Sequence, residues 1–134
     1  MRQLLTNRRR GDAVIEFALL APTLLLLLFG ILELGRVLDA WLIVENAARE
    51  GAREAAALPT QDPTSLAQQT TIAYLNMALA GRGDVAAIVV PTPQIDATSV
   101  AVSAEVDIQL YTPLFTSMLP SPLPVRATTS MRRQ

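Results

Sequence analysis

The apolar run between two glutamates constrains this chain more than any other feature. Glu16 and Glu33 bracket residues 17–32, sixteen residues without a charge. At about 1.5 Å of rise per residue they make a helix of roughly 24 Å, short of the roughly 30 Å hydrocarbon core of a bilayer. Counting back to Ala13 makes twenty residues and about the full thickness, but it draws Glu16 inside. An ionisable side chain at that depth costs about 2.5–3.5 kcal/mol on insertion scales and normally faces a partner. No basic residue follows it in the run before Arg36, and the nearest cations are upstream, at Arg8, Arg9 and Arg10.

Arg9, Arg10 and Gly11, then four residues, then Glu16 and Phe17 ahead of an apolar run, resemble the processing site of type IV prepilins. In that family a membrane-embedded aspartyl peptidase cuts after the glycine, and the glutamate becomes the fifth residue of the mature chain. The stretch RRRGDAVIEFALLAPTLLLLLFGILELGR, followed by ENAAREGAREAA, resembles the TadE-like proteins of the tight-adherence (Tad) pilus. The C-terminal TPLFTSMLPSPLPVRATTSMR is similar to the end of that family. The resemblance implies processing at Gly11 and Asp12 and assembly through Glu16 and Phe17. It also implies partners: a prepilin peptidase, other pilin subunits, platform membrane proteins and an assembly ATPase.

Electrostatics agrees with that site. Cleavage after Gly11 creates an α-amine on Asp12, four residues before Glu16. In an array of such helices the amine of one subunit can neutralise the carboxylate of the next, so the penalty for an unpaired charge is lifted only on assembly. Glu16 then sets register, as a buried polar residue does in coiled coils. Cleavage also removes Arg2, Arg8, Arg9 and Arg10, the charges that hold the N-terminus in the cytoplasm. Asp12 departs from the apolar or small polar residue common at this place in prepilins. Its carboxylate suits a helix N-terminus but competes with Glu16 for the amine.

Composition narrows the chemistry. The 134 residues include no cysteine, no histidine and, since all eleven basic residues are arginines, no lysine. Ser-His-Asp and Cys-His arrangements, a His-containing zinc site and a P-loop are therefore impossible. No cofactor is expected. Net charge is −1, and removal of the four leader arginines leaves seven arginines against twelve acids, near −5. That argues against nucleic acid as a partner, because affinity for it rests on neutralising phosphates. A removable secretory signal fits less well, its apolar region being about 7–15 residues long and ending at a small-residue site. An anchor that is never cut stays open as the alternative, a single-pass protein presenting an extracytoplasmic binding domain or serving as a fixed part of the assembly machinery.

Three domains are expected: a leader over residues 1–11, a transmembrane helix over 12–38 and an extracytoplasmic domain over 39–134. Pro22 predicts a kink, since it leaves the carbonyl of Ala18 without a helical donor. Gly30 and Gly35 either allow another helix or the domain to come close or reflect the ordinary use of glycine in membrane helices. Glu33 has Arg36 three residues on. From Arg36 to about Leu58 nothing stops the helix, and Leu38, Trp41, Leu42, Ala48, Ala52 and Ala55 form a stripe that can cover a sheet, Trp41 being alternatively an anchor at the membrane interface. Gly51, costly inside a helix, either marks close packing or is merely tolerated there. Pro59 ends this element. Asp62 and Pro63 start a second helix to about Ala80, with Leu66, Ile72, Leu75 and Leu79 inward and Gly81 at its C-terminal end.

The period then changes. Residues 85–90 read as a strand bounded by Pro91 and Pro93, and residues 100–111 alternate apolar and polar. Glu105 and Asp107 share a face, better read as solvated than as a cation site. Residues 111–124, with four prolines, read as a loop packed on the helix or a neighbour, and residues 125–131 as a last strand. The fold class is therefore α+β and pilin-like, a long N-terminal transmembrane and amphipathic helix with a short helix on a small antiparallel sheet. In the bilayer the arginine-rich start lies in the cytoplasm and the domain outside the inner membrane.

Overall fold

The structure, a computed structural model, describes residues 3–57 and 62–133, with side chains from Gly11 onward. The expected helix stop at Pro59 lies outside the described residues. Helix α1 is Gln3–Ala57, α2 is Pro63–Ala78, and the strands are β1 Val85–Val89, β2 Gln94–Ile95 and β3 Ser99–Ile108. A short helix, α3 Pro113–Met118, precedes β4 Leu123–Arg132. The chain divides into two compact units, Met1–Leu34 and Gly35–Gln134.

In the first unit the helix does not begin at Asp12 as expected but runs back to Gln3. Leucine, glutamine and arginine between residues 3 and 10 are all good helix formers, and nothing there breaks the pattern. Pro22 lies inside the helix, which is assigned without a break across it. Residues 11–32 are exposed on every side, with only Ala21 and Gly30 partly covered. Helix α1 is long and apolar enough to cross a membrane, and none of its apolar stretch is buried within the protein.

The second unit is an α+β domain built around β3. That strand alternates without exception, Val100, Val102, Ala104, Val106 and Ile108 inward and Ala101, Ser103, Glu105 and Asp107 outward. It pairs with β4 along its whole length, from Ser99 opposite Arg132 to Ile108 opposite Leu123. Its other edge carries β1 and β2, both antiparallel. Between them residues 90–93 stand opposite residues 102–104, one residue too many for a continuous ladder. Pro91 and Pro93 lack the N–H a ladder needs, so the edge strand breaks there.

Helices α1 and α2 supply the other half of the core. The buried face of α1 is Ala40, Val44, Ala47, Ala48, Ala52 and Ala55, clustered with Leu75 and Leu79 of α2 and with the inner face of the sheet. Leu38, Trp41 and Leu42, expected inside, are exposed, Trp41 to 42%. Small side chains let a helix lie close on a sheet, so the alanine stripe wins the inner position over the larger residues beside it. In α2 the buried residues are Ala67, Thr71 and Leu75 of the helix with Leu79 at its end, while Ile72 is 41% exposed rather than inward. The four-residue step from 67 through 71 to 75 faces α1, and Ile72 stands about 100° away from Thr71.

The expected ends of α2 are present. Ser65 N–H donates to Asp62 Oδ1 at 3.0 Å, Pro63 follows, and Gly81 has φ of 79°. These are a side-chain N-cap and a left-handed residue suited to glycine. Where an unbroken loop was expected over residues 111–124, Pro113 opens the six-residue α3. Proline at the first helical position leaves no required donor unmade, so it starts a helix as readily as it ends one.

Gly51 marks the tightest crossing. A Cβ added there would lie 2.1 Å from Thr71 Oγ1 and 2.9 Å from the carbonyl oxygen of Ala67. Thr71 cannot simply turn away, because its hydroxyl donates to that same carbonyl at 2.8 Å. Gly51→Ala is therefore expected to destabilise the domain by about 1–2 kcal/mol, overpacking outweighing the gain of about 1 kcal/mol in helix propensity. Chemical denaturation of the detergent-solubilised protein measures it, and adding Thr71→Ala is expected to restore part of the loss.

Candidate functional site

All seven residues singled out for processing, assembly and helix packing lie on α1. Asp12 and Glu16 are four residues apart, so their side chains stand over one another on one face, about 5–6 Å between Cβ atoms. Like charges at this spacing repel. Among the described residues neither carboxylate makes an ion pair or hydrogen bond. Gly11 is helical, and no described atom lies within 4 Å of where its Cβ would be. Gly35 is equally open. The absence of a side chain at Gly11 thus answers no packing need among the described residues, in contrast to Gly51. Phe17 is exposed beside Glu16 on the apolar surface of the helix, Pro22 is exposed further along it, and Gly30 is partly covered.

The second unit contains a polar cluster that the sequence did not reveal. Asp84, 6% exposed, accepts from Arg82 Nε at 3.0 Å on one carboxylate oxygen and from Arg82 Nη2 at 2.7 Å on the other. Arg36 Nη2 reaches the second oxygen at 2.9 Å and also donates to the carbonyl of Gln109 at 3.1 Å. The Arg36 guanidinium lies over the Tyr111 ring, 4.3 Å from its centre. Arg82 continues to Asp39, and the Gln109 N–H donates to the Asp84 carbonyl at 2.7 Å. One carboxylate thereby ties α1, the turn before β1 and the end of β3 together. Arg82 holds the Asp84 carboxyl well below the usual carboxylate range against the opposing effect of burial, and Arg36 adds to it. In return Asp84 raises the Arg82 guanidinium. The two arginines and two aspartates balance, and among the described residues no group of acids could hold a metal ion. The arrangement fastens elements together and offers no unsatisfied charge to a ligand.

Arg36 was read as the companion of Glu33, and its contacts with Asp84, Gln109 and Tyr111 are what that reading missed. Pairs separated by 48 and 73 residues leave no local signal. The only hint was an arginine and an aspartate flanking Gly83 directly before an apolar strand. Glu105 and Asp107 do share a face, and Arg126, directly opposite on β4, donates through Nε to Glu105 at 2.8 Å. Beside them Ser103 and Thr128 hydroxyls meet at 2.8 Å.

An α+β domain following an N-terminal helix able to cross a membrane, with a Gly-x4-Glu step about two turns into that helix, is a pilin-like arrangement of elements. Residues 11–53 match the family model of the TadE-like protein, so over that segment the chain is similar to that family. The match falls within α1, so the similarity read in residues 112–132 lies outside it. Comparison with curated proteins and with solved structures gives no match. Family and helix together fit a Tad pilus-associated membrane protein.

The cluster makes a pH dependence. Asp84 is more acidic folded than unfolded, so its contribution is complete above the ordinary aspartate value of about 3.9 and is lost as pH falls toward its folded value. Denaturation midpoints are expected to drop between about pH 5 and about pH 2. Asp84→Asn is expected to be less stable at neutral pH by about 1.5–3 kcal/mol and to show a shallower acid dependence.

Proposed function

We propose that this chain is a minor pilin or pseudopilin of a Tad-type pilus, cut after Gly11 by a prepilin peptidase and assembled through its N-terminal helix. The observation that carries the reading is the Gly11–Glu16 segment of α1. Gly11, which meets no packing neighbour among the described residues, is followed by two carboxylates stacked on one helix face that have no ion pair among the described residues, ahead of a surface suited only to lipid or other helices. A helix opens more cheaply at glycine than at alanine, by about 1 kcal/mol, which favours access to the Gly11–Asp12 bond. Cutting removes Arg8, Arg9 and Arg10 from this end, and the new amine on Asp12 supplies a positive charge in their place.

On this reading the protein resides in the inner membrane with its N-terminus in the cytoplasm and its domain outside, and passes from there into the filament. Its partners are the peptidase, sibling pilins and the platform proteins, and its roles are pilus biogenesis, adhesion or secretion. It works as a structural subunit and not as an enzyme. Arg36, Asp39, Arg82, Asp84, Glu105 and Arg126 are committed to holding the domain's own elements together, which supports that assignment.

Intact mass and N-terminal sequencing of protein from cells are expected to give a chain beginning at Asp12. An intact N-terminus would instead establish the uncut anchor. Glu16→Ala is expected to be trimmed normally but incorporated into isolated pili at about one-tenth of the wild-type yield or less, the equivalent of about 1.4 kcal/mol for the lost pairing. Incorporation at the wild-type level would remove Glu16 from assembly.

A further inference from the structure

Helix α3 is unusual because it has no buried residue, although it is rich in apolar side chains. Met118 is 74% exposed, and Leu114, Leu119 and Tyr111 are exposed with it. From Ile108 to Val125 the sequence has no charged residue. A loop destined for water would not normally present this surface. Both of its ends are fastened to the same turn of α1. At one end Arg36 binds the Gln109 carbonyl and covers Tyr111, and at the other Leu123 and Pro124 share a groove with Val37, Leu38 and Trp41.

That turn has a particular place along the chain. The twenty residues that span the hydrocarbon core end at Leu32, and Arg36 follows four residues later, about 6 Å further along the helix. The exposed Leu38, Trp41 and Leu42 follow. Tryptophan and tyrosine favour the headgroup layer, where an apolar ring and a polar edge are both satisfied. We propose that α3 and its flanks, led by Leu114, Met118 and Leu119, insert into the outer headgroup layer of the bilayer that α1 crosses, making a second membrane contact beside the anchor. The occupant is lipid rather than a protein groove partner, because the residues to which both flanks of the patch are fastened, Arg36, Val37, Leu38 and Trp41, closely follow the apolar run along the chain. This contact rests on the membrane-spanning reading of α1.

The chain contains no cysteine, so single spin labels can be placed cleanly at exposed sites. Full-length protein bearing Met118→Cys, Leu25→Cys or Ala97→Cys would be reconstituted singly into phosphatidylcholine–phosphatidylglycerol nanodiscs. Accessibility to oxygen and to a water-soluble nickel chelate would then be measured. Leu25→Cys reports the span, and Ala97→Cys, in the turn before β3, reports water. The expected result is that position 118, like position 25, favours oxygen, with nickel access several-fold below that of position 97. If position 25 lies in lipid while position 118 is as open to nickel as position 97, the second contact is overturned and the anchor stands. If position 118 is shielded from both reagents, it is covered by protein and the lipid assignment is equally overturned. If position 25 itself is open to nickel, the spanning reading fails, and the second contact with it.

Discussion

One helix has to satisfy two solvents, and the rest of the structure follows from how it does so. Over residues 11–32 α1 is apolar on all sides and buries nothing against its own chain. A helix of that kind is stable only in lipid or among other helices. From Ala40 onward the same helix narrows its apolar contact to a stripe of alanines with Val44, and the sheet closes on that stripe. The change is one of side-chain size as much as of polarity. Leucine and phenylalanine suit a fluid surroundings that adapts to them, whereas alanine permits the fixed, close approach that a protein core requires.

The domain is small, and it uses close approach and charge where a larger protein would use bulk. Gly51 against Ala67 and Thr71 brings α1 and α2 together, and the Asp84 cluster fixes the opposite end of the helix pair to the sheet. A buried ion cluster is a weak source of stability in itself, since desolvation offsets much of the attraction. Its value here is directional. Two forked guanidiniums and one carboxylate are satisfied in a single geometry, which fixes where the helix lies over the sheet.

Much of this was open to reading in the residues, for reasons that differ by element. The strict alternation of β3 is a period-two signal with little competition, and Asp62, Pro63 and Gly81 act through local backbone chemistry, so both appeared as expected. The inner face of α1 was misjudged because hydrophobicity ranks Leu38, Trp41 and Leu42 above alanine, while packing distance ranks them below it. Helix α3 was hidden because proline was weighed as a breaker and not as a first helical residue. The Asp84 cluster joins residues far apart in sequence and was invisible to any local rule. Gly11 and Glu16 are singled out by their sequence pattern alone, since among the described residues neither makes a contact that folding would reveal.

The broken strand formed by β1 and β2 also bears on how crowded copies of this protein avoid sticking to one another. An exposed strand edge is a template for pairing with a foreign chain. On one flank of the sheet Pro91 and Pro93 interrupt the row of donors, so a second molecule finds no continuous ladder to extend. The opposite flank, the outer side of β4, is ten residues long and meets no other described strand. Any sheet-to-sheet misassociation is therefore one-sided and cannot propagate into a two-way stack, with Pro124, Arg126 and Arg132 the residues left to guard the open flank.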